Sequence, residues 1–347
     1  MGNTPIYDVA SWETHITEDD CTLVIRTDNG RVFYCEISPK RFHQSPLATK
    51  QYFKCLNILR FGEQSDQYDE DFYLEDACDW LSKPFKPLVE RLAPGALQMN
   101  SAGLPTLAHY LLSPYFVCSL SATDEQLRAC YLPSREHSWG SPLLMVSDDF
   151  LEDLQSWTRS FHLSEVGICY DRPQDVLIKP PRRVLVSDGN GSHVECFFKR
   201  FALSFGPEHA RAELRKLKRL ALARIPPPPQ AFVCHLYGVV RDSNGLAGML
   251  FSWIESQGVL SRARAEQSAT ERRRRWAGQI RETVQILHDR NIIWGDVKAE
   301  NVLIDTDDNA WVIDFGGSYT MGWVDEEIAG TVEGDLQGLS KIMSSLG

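Results

Sequence analysis

An aspartate, a lysine and an asparagine stand in the stretch Ile293-Trp294-Gly295-Asp296-Val297-Lys298-Ala299-Glu300-Asn301, which opens into the apolar run Val302-Leu303-Ile304. A second aspartate, Asp314, follows Val312-Ile313 and precedes Phe315-Gly316. Together these side chains form one chemical set. A carboxylate at Asp296 can orient an attacking hydroxyl and take its proton. The ammonium of Lys298 can neutralise charge that develops on a transferred group. Asn301 and Asp314 offer the hard oxygens that magnesium prefers. Transfer of a phosphoryl group from a nucleotide to a hydroxyl uses all four roles. Asp296 taken alone also reads as an ordinary turn aspartate ahead of a strand; the joint spacing favours the chemical reading.

Further residues stand upstream in a plausible order. Lys199 ends the apolar run Val194-Glu195-Cys196-Phe197-Phe198. Pro207 opens a helix that runs to about Leu222, with Ala210, Leu214, Leu217 and Ala221 as its apolar stripe and Glu213 beside it. Glu208 is the competing acid, but it falls in the first turn, where the helix dipole accounts for it. Met249-Leu250-Phe251-Ser252-Trp253-Ile254 reads as a buried strand, and a long helix with Trp276, Ile280, Val284 and Leu287 on one face follows over about 269–289.

With these residues in this order, the chain from 164 to 347 resembles the protein kinase-like superfamily. The resemblance implies that Lys199 holds the α- and β-phosphates with Glu213 as its partner. It implies that backbone groups of Ser252, Trp253 and Ile254 meet the adenine edge. Asp296 becomes the catalytic aspartate with Lys298 beside it, and Asn301 and Asp314 become ligands of magnesium and, through it, of the nucleotide. ATP and Mg2+ are the implied cofactors. The implied fold is α+β: a two-lobed kinase-like domain over 161–347 with a truncated C-terminal lobe. Its N-lobe covers about 161–254 and its C-lobe about 255–347, and an α+β segment of unknown function precedes it over 1–160.

The chain departs from that pattern in places. Trp294-Gly295 stands where the family has His-Arg, and Gly295-Asp296 at this place resembles small-molecule kinases of the aminoglycoside phosphotransferase type. Lys199 follows Gly189 by only ten residues, so Asp188–Gly191 reads as a turn between strands. The phosphate lid then falls on Tyr170-Asp171-Arg172-Pro173-Gln174, which has no glycine. Only 33 residues follow Asp314, without Ala-Pro-Glu. Gly330-Thr331-Val332-Glu333-Gly334-Asp335-Leu336 reads as a shortened substitute, with Asp335 bracing the catalytic loop from a final helix. The combined pattern resembles uncharacterised kinase-like proteins of filamentous fungi.

The elements that must position these residues are partly legible. Thr27-Asp28-Asn29-Gly30 marks a hairpin within 21–37. Helices are expected over 46–59 and about 70–92, strands over 106–131, and a capped helix from Ser147. The acid-rich cluster Asp66–Asp79 reads as a solvated helix face. Strands are expected at 166–170, 176–186, 193–201, 232–240 and 246–254. The basic run Arg272–Arg275 reads as the solvated face of the long helix.

Composition excludes some classes. With 43% hydrophobic and 24% charged residues the chain is an ordinary globular protein, and a formal net charge of −11 argues against a nucleic-acid-binding body. Nine scattered cysteines without Cys-x-x-Cys point to reduced thiols and a cytoplasmic or nuclear location. No apolar run is long enough for a membrane span. The expected function is an ATP- and magnesium-dependent phosphotransferase acting on a protein (Ser/Thr-type) or small-molecule hydroxyl. The alternative is a pseudokinase that serves as a nucleotide-binding or scaffold module.

Overall fold

The computed structural model describes residues 5–14, 17–62, 72–95, 104–133, 135, 143–201, 206–317 and 320–347. The chain forms two compact units that interleave: 1–140 with 164–182, and 141–163 with 183–347. A single cut at 160/161 does not describe this division, because the chain enters the second unit, returns to the first, and crosses again.

The first unit is built on strands β1 (Tyr7–Thr14), β2 (Cys21–Thr27), β3 (Val32–His43), β4 (Tyr115–Thr123) and β5 (Gln126–Tyr131), which lie side by side in chain order. The β2–β3 hairpin closes where expected, with Thr27 N–H on the Arg31 carbonyl and Gly30 at positive φ. Helices α1 (Pro46–Phe61), α2 (Leu74–Ser82) and α3 (Lys86–Leu92) bury Tyr52, Cys55, Leu56, Leu81 and Val89 in the same core as Leu23, Ile25 and Phe33. β3 and β4 run parallel, and the helices fill the crossover between them. Of the acid-rich cluster, residues 66–71 lie outside the described residues.

Two expectations fail locally. The segment expected to be strand from 106 begins as a short helix, α4 (Leu107–Leu111), because Thr106 N–H donates to His109 Nδ1 and caps its first turn. The expected strands at 166–170 and 176–186 shrink to β7 (Gly167–Ile168) and β8 (Arg183–Ser187). Pro180 and Pro181 supply no N–H for a ladder, and Leu177 takes positive φ, so 176–182 cannot pair.

The second unit contributes α5 (Asp148–Gln155), capped by the Ser147 hydroxyl, and β6 (Arg159–His162) before β7. It continues with β8, β9 (His193–Arg200), α6 (Pro207–Leu222), β10 (Leu236–Arg241) and β11 (Leu246–Ser252). Its strands run in the order β6-β10-β11-β9-β8, antiparallel except for the β6–β10 pair. This sheet with α6 forms one lobe of an α+β, two-lobed body. The other lobe holds β12 (Ser256–Val259), α7 (Arg262–Gln267), α8 (Thr270–His288), β13 (Val302–Asp305), β14 (Ala310–Val312) and α9 (Val332–Leu346).

The helical patterns explain the packing. α8 buries Trp276, Ile280, Val284 and Leu287, the stripe its 3.6-residue period presents. α6 buries Ala210, Glu213, Leu214, Leu217 and Leu220; Ala221, expected on this stripe, is exposed, and Leu220 completes the face. From the outer face of α8, Arg272 pairs with Asp308 at 3.3 Å and Arg275 donates to Asn309 Oδ1 at 2.6 Å. That places the basic run on a local turn.

Candidate functional site

Asp296 and Asn301 are buried at 6% exposure each, so every polar atom they carry needs a partner. Asn301 Nδ2 donates to the Asp296 backbone carbonyl at 2.8 Å and to Asp296 Oδ2 at 2.9 Å. Lys298 Nζ lies 2.9 Å from the same Oδ2. On the other carboxylate oxygen, Thr320 Oγ1 donates to Asp296 Oδ1 at 2.8 Å while accepting from Lys298 Nζ at 2.9 Å. A hydroxyl therefore sits between the carboxylate and the ammonium, in hydrogen-bond reach of both.

The loop that carries these groups is held from below. Asp335, near the start of α9 and 1% exposed, accepts from Trp294 N–H and Gly295 N–H at 2.8 Å each, one per oxygen. His288 Nε2, at the end of α8, lies 2.8 Å from Asp335 Oδ2. Thr331 caps α9 by accepting from Gly334 N–H. Gly338 lets α9 approach further, since a Cβ there would meet Val297 Cβ at 2.7 Å. The expected bracing of the catalytic loop by Asp335 is thus present. Trp294 is fully buried and donates through Nε1 to the Ile313 carbonyl at 2.9 Å, tying the loop to the strand that delivers Asp314.

A second cluster forms around Lys199. β9 pairs Lys199 with Met249 of β11, and its Nζ lies 2.7 Å from both Glu213 Oε1 and Asp314 Oδ1. Glu213 is 5% exposed, so Lys199 is the partner that makes its burial tolerable. Glu208, the competing acid, pairs instead with Arg211 and Arg215 on the helix exterior. Burial alone would lower the pKa of Lys199, but the Glu213 and Asp314 carboxylates outweigh it and hold it raised. Burial likewise pushes Asp314 up. The Lys199 charge and hydrogen bond, the Gly316 N–H and Lys298 pull it below the usual carboxylate range instead.

Asp314 stands at φ 59°, a left-handed conformation that Asp tolerates better than most residues, and accepts from Gly316 N–H at 3.1 Å. The two glycines that follow are required by crowding. A Cβ at Gly316 would meet Glu213 Cδ at 2.4 Å, and one at Gly317 would meet Asp296 Cβ at 2.4 Å. The Asp-Phe-Gly-Gly segment is therefore threaded between the two acids, anchored by Phe315, which is 2% exposed.

The donor set fits a magnesium–nucleotide. Asn301 spends its amide N–H groups on Asp296, which leaves its Oδ1 as the hard oxygen. Asp314 spends Oδ1 on Lys199 and Gly316, and its side chain is 36% exposed, so Oδ2 can face a ligand. The expected adenine segment is more constrained. Ser252 N–H donates to the His235 carbonyl at 3.0 Å and Trp253 N–H to the Glu195 carbonyl at 3.2 Å. Of the three N–H groups, that of Ile254 alone has no hydrogen bond to a described residue. Trp253 Nε1 donates to Glu255, and Arg183 lies over the indole ring at 5.0 Å.

Residues 202–333 match the family model described as a protein kinase domain. Over these residues the second unit is similar to a protein kinase domain. The match spans Glu213, Asp296, Lys298, Asn301 and Asp314 and begins just after Lys199, whose place rests on geometry. A Caenorhabditis elegans protein named as a serine/threonine-protein kinase is 32% identical over 113 residues, covering 33% of this chain and 23% of its own length. Serine/threonine-protein kinase PKH3 of Eremothecium gossypii is 35% identical over 91 residues, covering 26% of this chain and 11% of its own. The chain thus spans a quarter or less of the length of either relative. Among the described residues, no helix is long and apolar enough to cross a membrane.

Two side chains of the kinase-like site were not found by spacing. Thr320 lies six residues beyond Asp314 in a segment with no apolar period to read. Lys216, three residues after Glu213, reaches the Gly317 carbonyl at 3.2 Å. Its signal was available: i and i+3 on one helix share a face, so the turn that presents Glu213 also presents Lys216.

Proposed function

We propose that the kinase-like unit is an ATP- and magnesium-dependent phosphotransferase that moves the γ-phosphate to a hydroxyl, on a protein serine or threonine or on a small molecule. The observation that carries this reading is the hydroxyl of Thr320 held between Asp296 Oδ1 and Lys298 Nζ. An alcohol in this place, bonded to both groups, supports the reading of the pair as a hydroxyl site. An acceptor hydroxyl engaging Asp296 in the same way would have its proton withdrawn by the aspartate, while Lys298 offsets charge on the phosphoryl group. Lys199, fixed by Glu213, would hold the non-transferred phosphates. Magnesium, when bound through Asn301 Oδ1 and Asp314 Oδ2, would neutralise phosphate charge. Backbone groups at Ser252–Ile254 would meet the adenine, with Ile254 supplying the N–H.

A second reading, a nucleotide-binding or scaffold module without transfer, draws support from how completely Asp296 is engaged by its own chain. We place the protein in the cytoplasm or nucleus, with ATP and one acceptor as partners and no nucleic acid. Incubating the protein with γ-labelled ATP and magnesium, against panels of protein and small-molecule alcohols, separates the readings. Label transferred to an acceptor or to the chain itself supports the enzyme; nucleotide binding without transfer to any alcohol favours the scaffold.

A further inference from the structure

The catalytic loop has no side chain at Gly295, and the volume beside its α-carbon is filled from another element. A Cβ at Gly295 would lie 2.8 Å from Lys216 Nζ, so the two positions share one space. Gly295 also stands at φ +90°, which side chains rarely adopt. Lys216 arrives from α6, one turn beyond Glu213, and donates to the Gly317 carbonyl at 3.2 Å. Gly317 in turn lies against Asp296 so closely that a Cβ there would stand 2.4 Å from Asp296 Cβ. The contacts are continuous: helix α6, the Lys216 ammonium, the Gly317 carbonyl, Asp296.

Four carboxylates act on the Lys216 charge, two of them also paired with Lys199 and one with Lys298. Asp335 approaches from α9, Glu213 from its own helix, Asp296 from the catalytic loop and Asp314 from the magnesium loop. Burial pushes Lys216 below the ordinary lysine value, and these four carboxylates oppose that push. Lys216 is the α6 lysine that turns inward to the loop. Lys218, two positions on, pairs with Asp153 on the helix exterior.

We propose that Lys216 is a positioning residue for Asp296: its ammonium, delivered from α6 into the space left by Gly295, pins the Gly317 carbonyl and with it the loop packed against the aspartate. Helix α6 then sets both clusters at once, Lys199 through Glu213 and Asp296 through Lys216. The activity part of this proposal rests on the phosphotransferase reading; the positional part does not.

Hydrogen exchange of the full chain without nucleotide, read on the peptide containing Gly316 and Gly317, tests whether the contact holds the loop, since the Gly316 N–H bonded to Asp314 exchanges when the loop opens. Lys216→Met is expected to raise exchange there by about fivefold or more, Lys216→Arg to restore most of the protection, and Lys218→Met to behave as the original protein. Lys216→Gln, uncharged and one bond shorter, is expected to match Lys216→Met, so the result does not hang on one variant folding. In phosphotransfer, Lys216→Met should lower kcat about tenfold with KM for ATP changed less than about twofold. Unchanged exchange in both uncharged variants overturns the proposal, as does raised exchange with kcat intact. Raised exchange in a protein that transfers no phosphate to begin with upholds the contact and defeats the enzymatic reading instead.

Discussion

Gly317→Ala places one methyl group where the structure has no room for it. The added carbon would stand 2.4 Å from Asp296 Cβ and 2.6 Å from its Cγ. Carbon atoms in ordinary contact are about 3.5–4.0 Å apart, so one side must retreat by about 1 Å or more. Asp296 cannot yield by rotating, because the closest atom is its Cβ, beside the backbone. Its carboxylate is also held by Asn301, Lys298 and Thr320 at 2.8–2.9 Å. The loop at 316–317 is hemmed in on the other side by Glu213 and tied by Lys216. Overpacking of this kind costs about 1–3 kcal/mol, and misplacing a reacting group by about 1 Å costs on the order of 100-fold in rate. Urea unfolding should therefore show a loss of about 1–3 kcal/mol, and labelled-ATP transfer should fall by about two orders of magnitude. A Gly317→Ala protein with unaltered stability and full transfer would refute the threading of this loop between Asp296 and Glu213.

Other perturbations follow from the same geometry. Asp335→Ala strands the Trp294 and Gly295 N–H groups and removes the partner of the His288 ring; at about 1–3 kcal/mol per unsatisfied donor the two N–H groups alone give about 2–6 kcal/mol, which chemical denaturation should register as lost stability. The folded-state pKa of Asp314 is depressed, so its contribution to stability is present above the ordinary carboxylate range and lost as pH falls through the folded value. Denaturant midpoints measured against pH should show a shallower acid limb in Asp314→Asn. Lys199 has a raised folded pKa, so its contribution is complete below the unfolded lysine value and lost as pH rises through the folded one. Lys199→Met should flatten the alkaline limb in the same series and weaken ATP binding by calorimetry.

Some of this site could be read from the residues and some could not. Asp296, Lys298, Asn301 and Asp314 were legible because the chemistry fixes their types and a short loop fixes their spacing. Lys199 and Glu213 were legible because a strand end and an amphipathic helix constrain which side chains face inward. Thr320 was not, since it lies in irregular backbone where no period marks direction. Lys216 was overlooked because a lysine on a helix ordinarily reads as solvated surface. The interleaving of the two units escaped because tertiary contacts, such as Leu107 N–H on the Val166 carbonyl and Ile168 N–H on the Pro105 carbonyl, decide where 164–182 packs, and no local pattern reports them. In the first unit, α4 is set by the capping contacts of Thr106 with His109, which a reading of 106–131 for alternation does not register.

On the proposed phosphotransferase reading, Asp296 performs the transfer and does not build the site. Asp296→Asn isolates the two roles, because an amide oxygen can still accept from Asn301 and Lys298 while the amide nitrogen donates toward Thr320. Magnesium–ATP affinity by calorimetry and γ-label transfer should be measured on the same preparation. ATP affinity within about threefold of the original, with transfer reduced by about 1,000-fold or more, is the predicted result. Transfer that survives the substitution at a comparable rate would contradict the account.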